Sequence, residues 1–258
     1  MKKLAIASAL LSALAVTGTA NAYQAEVGAS AGVIDPDHGS TSGSFGVDGT
    51  YYFNPVQTRN SPLAEAAYLD RASNVNAQYQ YNEVGDDKVH NYGVGVEYFV
   101  PGSNFYVGGN VGRQDVKIDH GKDLDTTLYG AEVGYLPAPG FLVAVGLKGY
   151  DNDKDDGVDP TIRAKYVTQL SNGKDINLEA GAAFGDLDEY NLAADYFIDK
   201  SFSIGADYYN NDLTDNNEFG INARKFFTPQ VSLEGRVGFG EVGNNDYNRF
   251  GLAAKYRF

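Results

Sequence analysis

Residues of alternating character recur along most of the chain, and this period of two limits the fold more than any other feature. Between 247 and 258, Phe250, Leu252, Ala254, Tyr256 and Phe258 fall on one side, and Tyr247, Arg249, Gly251, Ala253, Lys255 and Arg257 on the other. Only an extended strand sends successive side chains to opposite faces. The same pattern sets Val231, Leu233, Val237 and Phe239 against Ser232, Glu234, Arg236 and Gly238. It recurs in Ile176–Phe184, Phe202–Tyr209, Phe141–Lys148 and Phe45–Phe53. Strands are predicted over 23–33, 43–53, 73–84, 89–100, 104–115, 125–136, 140–151, 160–170, 174–185, 189–198, 201–211, 217–227, 230–241 and 247–258. Fourteen is an even number, so both termini of the barrel would lie on the same side.

Strand over more than half of a chain is excessive for an ordinary globular domain, whereas a membrane barrel needs about 9–11 residues for every tilted crossing. A mean hydropathy of −0.35 excludes a bundle of membrane helices. It is compatible with a barrel, in which each strand turns one side to lipid and the other to water. The absence of cysteine excludes disulfides, thiolate metal sites and cysteine nucleophiles, and a pI near 4.5 argues against nucleic acid as a partner. Residues 1–22 read as a cleaved signal peptide: Lys2 and Lys3, an apolar run from Leu4 to Val16 and the small-residue site Ala20-Asn21-Ala22. Losing Lys2 and Lys3 takes the net charge from −14 to −16. The remainder, 23–258, reads as one domain with no linker.

The connections come in two kinds. Val100-Pro101-Gly102-Ser103, Leu136-Pro137-Ala138-Pro139-Gly140, Ser171-Asn172-Gly173-Lys174, Asp199-Lys200-Ser201 and Thr228-Pro229-Gln230 are short turns. Between them lie mostly longer acidic stretches such as Asp115–Asp125 and Asp151–Asp159. Short turns on one side and longer loops on the other are the habit of outer-membrane barrels. Aromatic residues gather beside the short turns, among them Tyr51, Tyr52, Phe53, Tyr98, Phe99, Phe105, Tyr106, Tyr135, Phe226 and Phe227. They suit an interfacial girdle. Residues 54–73 break the rhythm. Ser61-Pro62 reads as a helix N-cap and first helical position, ahead of the helix-favouring Leu63-Ala64-Glu65-Ala66-Ala67-Tyr68-Leu69. The segment is read as a short helix on the periplasmic side or tucked into the lumen, with an irregular loop packed across the barrel's bottom as the alternative.

The run from Pro62 to Val75, following Tyr51-Tyr52-Phe53, resembles a segment of the putative-porin family of gammaproteobacteria, whose familiar member is the Acinetobacter-type outer-membrane porin linked to carbapenem entry. The terminal Lys255-Tyr256-Arg257-Phe258 resembles the aromatic-ended signal read by the barrel assembly machinery. The resemblance implies a fourteen-stranded antiparallel up-and-down transmembrane β-barrel acting as a channel for water, ions and small polar solutes. It supplies no list of binding residues.

Little in the chain suggests catalysis. His38, His90 and His120 share no metal-binding spacing and lack an evident nucleophile or acidic partner. Asp151–Asp159 fails the calcium-loop pattern, because Asp156 stands where glycine belongs and Ile162 where the bidentate glutamate belongs. Neither an enzyme, a cofactor nor a metal site is expected. If the apolar series faces lipid, Arg113, Lys148, Arg163, Arg236 and Arg249 face the lumen near mid-height, with Glu132, Glu179, Asp195 and Asp207 nearer the short turns. Many inward charges demand water, and water inside a closed barrel makes a channel. The rival expectation is a structural or adhesive barrel with a blocked lumen that acts through its acidic loops. Expected partners are outer-membrane lipid and lipopolysaccharide, the assembly machinery through Tyr256 and Phe258, and small polar solutes and ions; a monomer is preferred.

Overall fold

The computed structural model describes residues 22–84, 87–119, 121–186 and 188–258. Residues 1–21, and with them nearly all of the expected signal peptide, lie outside the described residues, as does His120. Fourteen strands form in chain order: β1 (Ala22–Pro36), β2 (Ser42–Gln57), β3 (Asn74–Val84), β4 (Asp87–Phe99), β5 (Phe105–Lys117), β6 (Leu124–Ala138), β7 (Phe141–Asn152), β8 (Asp156–Gln169), β9 (Asp175–Ala183), β10 (Glu189–Asp199), β11 (Phe202–Asn211), β12 (Asn216–Phe226), β13 (Val231–Val242) and β14 (Asn245–Arg257). Each pairs antiparallel with its sequence neighbours, and β1 pairs with β14 from Glu26↔Arg257 to Pro36↔Tyr247. The sheet is therefore closed, and no edge strand is left to aggregate. At the seam the Gln24 amide donates to the Phe258 carbonyl at 2.7 Å, and the Phe258 amide to the Ala25 carbonyl at 2.9 Å.

Ala22, the first described residue, and Phe258 lie at the end that carries the short turns. Gly140 shows why one of these turns needs glycine: its φ is +71°, and a Cβ there would run into the Val167 carbonyl. At the opposite end the acidic stretches continue as ladder. Asp151 pairs with Asp156, so only 153–155 of that stretch stand outside the sheet. The Asn152 side-chain oxygen accepts the amides of Lys154 and Asp155, at 2.9 and 3.1 Å, and makes the tight reversal.

The outward face is apolar, with Leu252, Val133 and Leu192 more than half exposed. A soluble protein rarely leaves so continuous an apolar belt uncovered; hydrocarbon is its natural solvent. Beside the short turns Tyr51, Phe53, Tyr98, Phe105, Tyr135, Phe227 and Phe258 point outward, and the Phe105 and Tyr135 rings lie 5.5 Å apart. Their neighbours Tyr52, Phe99, Tyr106 and Phe226 are instead buried inside the barrel. Alternation divides the aromatic bands, and only half of each can serve as girdle. The inward half builds two small dry clusters, Tyr23–Tyr52–Val56–Ala66 and Phe99–Tyr106–Leu136–Leu142.

Those clusters carry the segment between β2 and β3. A 3-10 turn over Leu63–Glu65 leads directly into a one-turn helix α1 (Ala66–Leu69). Ser61 does not cap it: the Ser61 hydroxyl donates back to the Thr58 carbonyl at 2.6 Å, and Pro62 takes the cap position without a side-chain bond. The segment is a strap across the turn end. Its Leu63 amide donates to the Lys200 carbonyl at 2.8 Å, while Arg257 donates to the Leu63 carbonyl at 2.8 Å. The Tyr68 hydroxyl reaches the carbonyls of Gly140 and Lys165, and Arg71 donates to the Ser103 carbonyl. Glu65, buried, pairs with Lys165 at 2.9 Å. The strap thus touches turns or strands around the whole rim.

Candidate functional site: the barrel interior

Register decides which residues share the inner face, because directly paired residues in an antiparallel ladder point the same way. Glu97, Gly108, Glu132 and Gly146 form one such row, and Asp195, Gly205, Asn222, Arg236 and Gly251 another. Glycine opposite a long charged residue recurs in both rows. At Gly220 a Cβ would collide with the Arg236 guanidinium, so the missing side chain is the space the arginine occupies.

The predicted charges are brought together as ion pairs, some between adjacent strands and some that skip strands. Arg163 on β8 meets Glu132 on β6 at 2.5 Å, with the Tyr106 hydroxyl 3.5 Å away. Lys148 on β7 reaches Glu189 on β10 at 2.7 Å. Arg236 bridges Asp207 on β11 and Glu218 on β12, and Arg249 adds a second contact to Glu218 at 2.9 Å. Glu179 pairs with Lys165 at 2.7 Å. Asp195 takes a hydrogen bond from Asn177 at 3.2 Å and forms no ion pair among the described residues. Such a network does not sit in a dry core at low cost, because taking each ion out of water costs several kcal/mol, and most of these side chains keep partial exposure.

Arg113 is the exception. It shares its face with Val107 and Val111, which point outward, and it pairs on the barrel's outer surface with Asp115 and Asp125, both at 2.7 Å. Towards the loop end the outer wall again meets water, and a charge there is permitted. Beside it, on the same outer wall, His90 lies against Tyr79, Tyr81 and Tyr92, with Tyr79 Oη 2.9 Å from its Nδ1. Among the described residues no cluster of three or more metal-ligating side chains occurs.

Several inner charges lay outside the predicted set: Glu26 and Arg257, which pair at 2.6 Å, Lys165 with Glu65, Arg224 with Glu234 at 2.5 Å, and Glu189 and Glu218. Most lie on strand faces that the same alternation identifies, within a few residues of a turn. Glu65 lies on the strap, and no periodicity points to its place.

Two cavities occupy the interior. The upper, about 460 Å³, is lined by Asn110, Lys148, Glu189 and Asn191 among others; the lower, about 430 Å³, is bounded below by Ala64, Glu65 and Tyr68 of the strap. Glu97, Tyr106 and Arg163 border both, and the Tyr106 hydroxyl donates to Glu97 at 3.1 Å. This trio forms the waist between them. Outside the strands, burial pushes the Tyr68 phenol up to about 12, the nearby Lys165 ammonium opposing the shift.

A closed antiparallel barrel with an apolar, aromatic-banded exterior and an ion-paired interior is a transmembrane β-barrel of the bacterial outer membrane. The chain belongs to the family described as "Putative general bacterial porin", whose model matches residues 1–160. Among solved structures it is similar to the outer membrane protein Omp33 of Acinetobacter baumannii, at 30% identity and a TM-score of 0.71, over 92% of this chain and 99% of that one. The CymD monoaromatic hydrocarbon channel, 9% identical with a TM-score of 0.57 over 92% of this chain and 89% of that one, shares the fold. No curated protein matches the chain. Family and fold give it a channel role.

Proposed function

We propose that this barrel is a passive diffusion porin for water, ions and small polar solutes. The observation that supports the reading best is the density of inward charge: Lys148, Arg163, Glu132, Glu179 and Asp195 border two cavities that meet at a polar waist, and Arg236, Arg249 and Asp207 form a further ion-paired group on the inner face. Solutes move down their gradient, and no chemistry is asked of the wall. The net charge of −16 expected after export favours a weak cation preference. Export would use residues 1–22, insertion the terminal Tyr256 and Phe258, and the acidic outer end would bridge to lipopolysaccharide through divalent cations. Liposome swelling with graded sugars, together with bilayer conductance in a salt gradient, tests this: swelling that falls with solute size is expected, and a clear anion preference overturns the cation lean.

The strap favours a second reading, a sealed structural or adhesive barrel, because it floors the lower cavity. Absence of both swelling and conductance in the refolded full chain would decide for it.

A further inference from the structure

The lower cavity has an imbalance that its own residues leave uncorrected. Three cations line it, and each is already engaged: Lys165 with Glu65 and Glu179, Arg163 with Glu132, and Arg224 with Glu234. Two lining carboxylates form no ion pair among the described residues, although Arg163 and Arg224, each paired elsewhere, act on Glu97 and Asp195 through space. Glu97 is held by the Asn74 amide at 2.8 Å and the Tyr106 hydroxyl at 3.1 Å, and Asp195 by the Asn177 amide at 3.2 Å. Neutral donors orient a carboxylate but leave its charge in place. Glu97 stands on β4 and Asp195 on β10, on facing walls.

A second observation is independent of these acids. Asn177 is only 2% exposed, and its side-chain oxygen has no hydrogen-bond partner. A buried acceptor without a donor costs roughly 1–3 kcal/mol, so the wall lacks a donor as well as a cation. The third observation is aromatic. Phe99 and Tyr106, ring centroids 5.0 Å apart, and Tyr52 and Tyr68 line the same cavity, and Lys165 Nζ already lies 4.9 Å from the Tyr68 ring centre. Carboxylates and ring faces on one cavity wall, with the unsatisfied Asn177 oxygen enclosed just behind them, are the chemistry that takes an alkylammonium or alkylguanidinium: charge and N–H donors for the carboxylates, carbon for the rings. A hydrated inorganic ion gains little from the rings.

We infer that the lower cavity is a binding site for a small organic cation, a solute carrying an ammonium or guanidinium group on an apolar body. The inference rests on the channel reading only for the solute's route in; binding itself does not require an open exit. The test uses the full chain refolded in detergent, with n-butylguanidinium as probe, potassium as inorganic competitor and butyrate as anionic control, read by ligand-observed NMR. Saturable binding of butylguanidinium is expected, with none of butyrate. Asp195→Asn and Glu97→Gln, made separately, should each weaken it roughly tenfold, and Asp212→Asn at the exposed loop end should leave it unchanged. Equal displacement by potassium at matched concentration would reduce the site to a counter-ion cloud and overturn the proposal, as would unchanged binding in both cavity variants. Liposome swelling with sugars on the same preparations reads the channel separately, so a sealed barrel that binds and an open barrel that does not are told apart.

Discussion

Arg236 gives the interior its character at the scale of one residue. It lies in the room left by Gly220 and Gly238 and holds Asp207 and Glu218 together across β12. Gly220→Ala should therefore destabilise the barrel by about 1–3 kcal/mol, measured as a lower midpoint of heat-induced loss of the folded gel band. Arg236→Gln leaves Asp207 without its cation and Glu218 with Arg249 alone, and the cation-to-anion permeability ratio should rise roughly twofold, read as a reversal potential in a potassium chloride gradient. Inner residues of this kind were legible in the sequence because their strands alternate cleanly: Arg236 between Gly235 and Val237, and Lys148 after Leu147. Arg113 was misread by the rule that a charge must point inward. That rule holds only where lipid covers the outside, and Arg113 lies towards the loop end with Asp115 and Asp125. Pairings such as Lys148 with Glu189 were not legible, since they depend on curvature across intervening strands that no strand encodes by itself.

At the scale of the element, the strap is the feature most open to test. Its helical turn could be read from Leu63 to Leu69, and a seat on the periplasmic side, in the lumen or across the barrel's bottom was among the expectations, but its anchors could not be read, because they lie on distant turns and strands: Lys200, Gly140, Ser103, Lys165 and Arg257. Replacing 58–72 with a short Gly-Ser connection should raise single-channel conductance severalfold by removing the floor of the lower cavity. Tyr68 adds a pH signature. Burial raises its phenol to about 12, against about 10 when free. Its neutral form is thus favoured in the docked strap. The docking contribution is complete below about pH 10 and is lost as pH rises towards 12. Conductance between pH 9 and 12 should increase in the parent chain, and Tyr68→Phe should lack that part of the increase.

For the whole molecule, the even strand count and the two contrasting faces were legible because lipid and water impose them separately on alternate residues. The fine division of aromatic residues between girdle and interior was less so, since Tyr51 and Tyr52 are the same residue type one position apart and fall on opposite faces. The contrast between faces predicts opposite tolerances at adjacent sites. Leu252→Arg puts a charge in hydrocarbon near mid-strand and should cost about 2–4 kcal/mol, whereas Gly251→Ser next to it meets open space and should be accepted. Urea-dependent folding into vesicles measures both.

The strap's anchors have a consequence for biogenesis. They are spread from the β4–β5 turn around to β14, and Arg257, which holds Leu63, also ties β14 to Glu26 of the first strand. A half-built sheet offers no such landing ground. The floor is fully anchored only once the last strand has met the first, because the Arg257 hold on Leu63 comes with the seam, so sealing of the cylinder and final locking of its base coincide.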